Sequence, residues 1–204
     1  MLKLKHILSD VAEYAYRDDP RLPQYKKFYV EYLDKRLKSK LGDYRHKDHH
    51  IRVFTKERSD LDIFWTSIHE LAHHVDYVQR GASGHGREFY AVYTKLLYTS
   101  LDMGLFTLEE YMECSRTSSD HNKVLRILER YTPHPVSYKK DTVRFRVQRA
   151  YEIREHLKAR GYTYNGYNRI WEKEIRKENV PEEENFLRRL GADFSTENAR
   201  TLTF

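Results

Sequence analysis

Residues 59–89 read SDLDIFWTSIHELAHHVDYVQRGASGHGREF, and the rest of the chain is best understood outward from this stretch. Leu61, Phe64, Ile68, Leu71, Ala72 and Val75 recur at steps of three and four, the period of a helix with one apolar face. Ser59 or Asp60 supplies an N-cap and Gly81 a stop, so the spacing predicts one helix from about residue 60 to about residue 80. At about 100° per residue, with His69 as zero, His73 falls near 40° and Glu70 near 100°, while Phe64, Ile68, Leu71 and Val75 gather between about 200° and 260°. The polar trio therefore stands off the face that a core would need.

His69, Glu70 and His73 satisfy the H-E-x-x-H spacing. Residues four apart on a helix have β-carbons about 5 to 6 Å apart, so two imidazoles can converge on one Zn2+ while the intervening glutamate reaches a bound water as general base. A catalytic zinc takes a third protein ligand and leaves the fourth position to water. His85 can supply it. A helix continuing to Arg80 climbs roughly 10 Å past His73, and residues 81–85 can return about 16 Å when extended. Gly81, Gly84 and Gly86 allow the backbone angles of such a return. Glu88 is the rival third ligand, of the acidic kind that other zinc peptidases use. His74, Tyr77, Arg87, Tyr90 and Tyr93 are all near enough in sequence to donate to a transition-state oxyanion.

His69, Glu70 and His73, followed by His85-Gly86 and Phe89 in a His-Gly-x-x-Phe element, resemble the SprT-like metallopeptidases, the group that includes the Spartan proteases acting on DNA-protein crosslinks. The resemblance covers about residues 50–100. It implies a mainly helical, zincin-like domain with a short sheet, with His69, His73 and His85 as zinc ligands, Glu70 as base and Phe89 packed behind the site. Metzincins fit poorly, because their glycine and third histidine would fall at Asp76 and Gln79. Many SprT-like proteins carry a cysteine zinc ribbon, which Cys114, the only cysteine, cannot build. Spartan-type targeting to DNA is therefore not implied.

The fold class expected is α+β. Helical spacing covers residues 5–16 and 22–40, the latter through Tyr25, Phe28, Tyr29, Tyr32, Leu33 and Leu37. Residues 51–55 alternate apolar and polar as a short strand that could form a sheet edge, and further helices are expected over 86–102, 107–116 and 119–131. Thr132-Pro133-His134-Pro135 breaks the pattern. The expectation is a metallopeptidase domain over 1–132 and a small βαβα-type module over 138–204, with a strand at 143–147, a helix at 149–160, a strand or hairpin at 162–175 and a helix at 181–190. Hydrophobic residues at 39% against 33% charged indicate a globular chain, and no apolar run approaches the roughly 18 residues of a membrane span. One cysteine and no secretory pattern suggest a cytoplasmic protein.

Residues 139–178 hold twelve Lys or Arg against six Asp or Glu, so the whole formal charge of +6 falls there. Tyr138, Phe145, Tyr151, Tyr162, Tyr164, Tyr167 and Trp171 are interleaved with those bases. Cations that hold phosphates and aromatics that stack bases are what single-stranded DNA needs, which makes Arg144, Arg146, Lys158, Arg169 and Trp171 candidate contacts. The core of a small domain would look similar. His46, His49 and His50 lack ligand spacing and read as a solvated turn, and His74 as an ordinary flanking histidine. The functions to weigh are a zinc endopeptidase acting on a protein substrate, DNA-associated proteins among the candidates; a nucleic-acid-binding protein with a structural or inactive zinc; and a repressor-cleaving H-E-x-x-H peptidase, against which His-Gly-x-x-Phe speaks.

Overall fold

A computed structural model describes residues 2–37, 40–113, 121–136, 142–166 and 168–198. Cys114, Tyr138 and Tyr167 lie outside the described residues. The chain divides into two compact units, Met1–Ser137 and Tyr138–Phe204, and the architecture is α+β with two small sheets. Among the described residues no helix is long and apolar enough to cross a membrane.

The first unit runs α1 (Leu2–Ala15), α2 (Leu22–Tyr25), β1 (Tyr29–Leu33), β2 (Gly42–Arg45), β3 (His50–Phe54), α3 (Asp60–Arg80), α4 (Arg87–Asp102), α5 (Leu108–Glu113) and α6 (His121–Leu128). Helix α3 has the bounds its periodicity predicts. The Ser59 hydroxyl accepts from the Asp62 amide at 3.1 Å, Asp60 and Asp62 favour the positive helix start, and Gly81 closes the helix at φ +73°, a conformation that costs glycine least. Phe64, Ile68, Leu71, Ala72 and Val75 are buried on the face toward the core, which they share with Leu8 and Val11 of α1, Ile51 and Val53 of β3, and Phe89, Leu96 and Leu97 of α4.

Two expectations are corrected in this unit. Residues 22–40 are not one helix: α2 ends at Tyr25, and Tyr29–Leu33 pairs in parallel with β3 from Tyr29 opposite His50 to Leu33 opposite Phe54. Every residue of β1 is half-buried, so the alternation that marks a strand is missing, and its aromatic residues also fit helical spacing. The strand preceding the motif is central, not an edge: the sheet order is β1-β3-β2, with β2 antiparallel to β3.

The second unit runs β4 (Thr142–Gln148), α7 (Arg154–Ala159), β5 (Thr163–Asn165), β6 (Ile170–Arg176), α8 (Val180–Arg189) and β7 (Asp193–Asn198). The order is therefore βαββαβ, not βαβα, and β7 is the strand the sequence reading lacks. The sheet order β5-β6-β4-β7, antiparallel throughout, interleaves two β-α-β halves, so each central strand is flanked on both sides. Val143, Phe145, Val147 and Trp171 alternate onto one face and pack with Leu157 of α7 and Leu187 of α8.

Candidate metal centre

Helix α3 and the loop after it bring three imidazoles to one point. His69 Nε2 lies 2.9 Å from His85 Nε2, and His73 Nε2 lies 3.2 Å from the same atom. Nitrogens bound about 2.0 to 2.1 Å from a tetrahedral zinc lie about 3.3 Å apart, so the spacing is close to that of a metal-bound trio. Among the described residues this is the group of three or more His, Cys, Asp or Glu side chains gathered closely enough to hold a metal ion. Neutral imidazole is the form that ligates. Burial, reinforced by His73 and His85, brings the His69 pKa down to about 3 and keeps its lone pair available.

Phe89, fully buried on the first turn of α4, lies beneath all three rings, with centroid distances of 5.0 Å to His69, 4.3 Å to His73 and 4.9 Å to His85. It fixes the height at which the loop returns. Tyr93, one turn further along α4, meets the His69 ring edge-on at 5.2 Å. The rival ligand Glu88 stands exposed at the start of α4 and is not a member of the trio.

Glu70 is buried at 6% exposure on the side of α3 that faces β2. A β-carbon at Gly42 would come within 2.8 Å of both the Arg52 carbonyl oxygen and Thr66 Cγ2, and within 3.2 Å of Glu70 Cγ. Only a bare backbone lets the strand pass the carboxylate this closely. Burial, with the charge of Asp43 adding to it, pushes the Glu70 pKa up to about 8. Asp43 itself is held by a bidentate pair with Arg52, at 2.6 and 2.7 Å.

Of the histidines beside the trio, His74 is more than a flanking residue. It is fully buried, its Nε2 lies 3.1 Å from the Gln24 carbonyl oxygen, and its Nδ1 lies 3.1 Å from the Tyr44 hydroxyl, which also meets His49 Nδ1 at 3.0 Å. Since the carbonyl only accepts, His74 donates from Nε2 and receives at Nδ1. His74 and Tyr77 thus engage Tyr44, His46 and His49 on a separate flank of α3, away from the metal-facing trio. Tyr90 lies nearer, its ring 6.5 Å from that of His85 and capped by Lys123 Nζ at 3.0 Å.

Sequence reasoning does not find Ser83 and Asp76. Ser83 Oγ lies 2.8 Å from His73 Nδ1 and is placed to lower the pKa of the buried Asp76 carboxylate. Burial alone would raise the Asp76 pKa, but the hydrogen bonds from Arg80 and Ser83 bring it below its ordinary value. A signal was present: at about 100° per residue Asp76 stands about 20° from His69, one turn above His73 and on the same flank.

The five candidate nucleic-acid contacts do not share one surface. Arg144 pairs with Glu174 at 2.9 Å, and Arg146 pairs with Glu197 and lies 3.7 Å from Glu172, all on the sheet face opposite the core. Trp171 belongs to the core at 8% exposure. Lys158 pairs with Glu155 at 2.9 Å, and Arg169 is exposed in a turn at φ +55°. The rings open to solvent are Tyr151, 72% exposed, with the Arg154 guanidinium 4.1 Å from its centroid, and Tyr164, which packs against Trp171 at 5.1 Å.

No protein-family model matches this chain, and no curated protein matches it.

Proposed function

We propose that the chain is a zinc-dependent endopeptidase. The observation that carries this reading is the convergence of the His69, His73 and His85 Nε2 atoms beside a buried glutamate on the same helix. Bare imidazole nitrogens of His69 and His73 at 2.9 and 3.2 Å from that of His85 repel it unless a proton or a cation sits between them, and an all-histidine set suits zinc. Bound by these three ligands, zinc would supply a water of lowered pKa and polarise the scissile carbonyl.

The chain's own part centres on Glu70. Desolvation gives its carboxylate a high proton affinity, so it can take a proton from a nucleophilic water and return it to the leaving amine near neutral pH. A dication beside it would pull that affinity back down, which keeps the carboxylate ionised in the resting site. Strand β2 lies at the edge of its sheet and passes Glu70 at Gly42. An extended peptide adding to that edge would be held by main-chain hydrogen bonds with its carbonyls presented toward the helix. The likeness of His69-Glu70-x-x-His73 and His85-Gly86-x-x-Phe89 to SprT-like metallopeptidases supports the same reading.

The test is metal content and proteolysis of the purified full chain and three variants. One zinc per chain is expected, lost in His85→Ala, kept in Glu88→Ala, and kept without peptide hydrolysis in Glu70→Gln. Proteolysis surviving in Glu70→Gln would remove the mechanism, and zinc lost in Glu88→Ala instead of His85→Ala would reassign the third ligand.

A further inference from the structure

Hydrogen-bond direction can be followed outward from His73. Arg80 holds Asp76 bidentately, Nε to Oδ1 at 2.7 Å and Nη2 to Oδ2 at 2.8 Å, four residues apart on α3. Asp76 is fully buried, and its ionised carboxylate accepts only. The Nε2 atom of His73 is the one aimed at His85, 3.2 Å away, so in a ligating site it is bare and the ring proton sits on Nδ1. Toward that Nδ1, 2.8 Å away, the Ser83 hydroxyl then accepts, which leaves its own proton for Asp76, whose pKa it lowers.

Ser83 also lies midway along the loop from Gly81 to Gly86 that carries His85. The side chain that sets the tautomer of the second ligand is thus the one that ties the loop of the third ligand onto the helix. Gly81 starts the return in the left-handed region, and Gly86 N donates to the Gly84 carbonyl at 2.7 Å. Between them Ser83 is anchored to α3 at His73, 2.8 Å away.

We propose that Ser83 and Asp76 are positioning residues for metal binding: they fix the Nδ1-protonated tautomer of His73 and hold the His85 loop in the ligating arrangement before the ion arrives. The inference rests on the metal-site reading above, and goes beyond it by assigning these two residues a task. It extends to Arg80, which locks the carboxylate. Outer partners of this kind contribute about 10- to 100-fold to metal affinity.

The experiment measures zinc affinity of the full chain by competition with a chromophoric chelator, together with nitrogen-15 NMR of the metal-free protein to read the His73 tautomer. Ser83→Ala should weaken zinc binding by about 10- to 100-fold, and Ser83→Thr, which keeps the hydroxyl, should restore it to within about threefold. Asp76→Asn should weaken binding in the same direction. Metal-free Ser83→Ala should melt close to the parent protein, since only a loop contact is lost, and its His73 should no longer be confined to the Nδ1-protonated form. Unchanged zinc affinity in Ser83→Ala would overturn the proposal, as would an Nε2-protonated His73 in the parent. A parent chain that takes up no zinc would end the peptidase reading, while the NMR arm would still decide the hydrogen-bond relay.

Discussion

At the scale of single residues, the histidines of α3 divide into two tasks that the bare sequence shows unevenly. His69 and His73 are legible because they stand off the apolar stripe, whereas the role of His74 depends on Gln24 and Tyr44, which are fifty and thirty residues away. Ser83 is hidden for the same reason, since a serine between glycines reads as loop until the loop closes. The burial of His74 has a measurable consequence. Desolvation, with His49 adding to it, lowers its pKa to about 4 in the folded protein, below the value of about 6.5 expected when unfolded. The unfolded chain then binds the proton more readily, so stability is complete above about pH 6.5 and falls as pH drops toward 4. Between pH 7 and pH 5 the loss from this one group is about 2 kcal/mol. Urea unfolding at both pH values should show that much less pH dependence in His74→Gln than in the parent. Metal release in acid would affect both proteins alike, so an equal loss in the two would remove His74 as the cause.

At the scale of elements, the site depends on how closely β2 and α3 approach, and the sequence carries only half of that information. The helix was readable to its caps because periodicity, Ser59 and Gly81 agree. Strand β1 was not, because a half-buried strand shows no alternation, and its pairing with β3 overrides the helical spacing of Tyr25, Phe28 and Tyr29. Gly42 is the point where β2 clears Glu70. Replacing it by Ala places a methyl group 2.8 Å from a backbone oxygen of β3, which cannot move without disturbing the Arg52 pairing. Overpacking of this kind costs about 1 to 3 kcal/mol. The expected result for Gly42→Ala is a lower melting temperature, zinc bound as in the parent, and peptide turnover reduced through displacement of the Glu70 side chain. Zinc lost along with turnover would mean that the strand supports the ligands as well as the base.

At the scale of the whole molecule, the basic segment shows why charge counted along a sequence overstates a surface. The division into two units and the α+β class were legible from the break at Thr132–Pro135 and the change of pattern after it, but β7 and the pairing of the charges were not. Seven of the twelve bases in residues 139–178, namely Arg144, Arg146, Arg154, Lys158, Arg160, Lys173 and Arg176, lie within 4 Å of a carboxylate. Arg144 and Arg146 alternate with Val143, Phe145 and Val147 on β4, so the period-2 geometry that buries the apolar residues lines the arginines up against Glu172, Glu174 and Glu197. Among the described residues of that stretch, Arg149 and Arg169 have no ion-pair partner, both at positive φ, and Tyr151 and Tyr164 are the exposed rings, Tyr151 the more so. The unpaired cations among the described residues of that stretch can neutralise only about two phosphates. The logarithm of the module's affinity for a single strand should then fall with the logarithm of salt concentration at a slope of about −2 or shallower. Salt titration of oligonucleotide binding by the full chain checks this, with Arg149→Gln combined with Arg169→Gln expected to flatten the slope further and Tyr151→Ala to weaken binding without changing it. A slope of about −5 or steeper would require the internal pairs on β4 and β6 to open onto the DNA, and Arg144→Gln would then reduce the slope instead of destabilising the sheet.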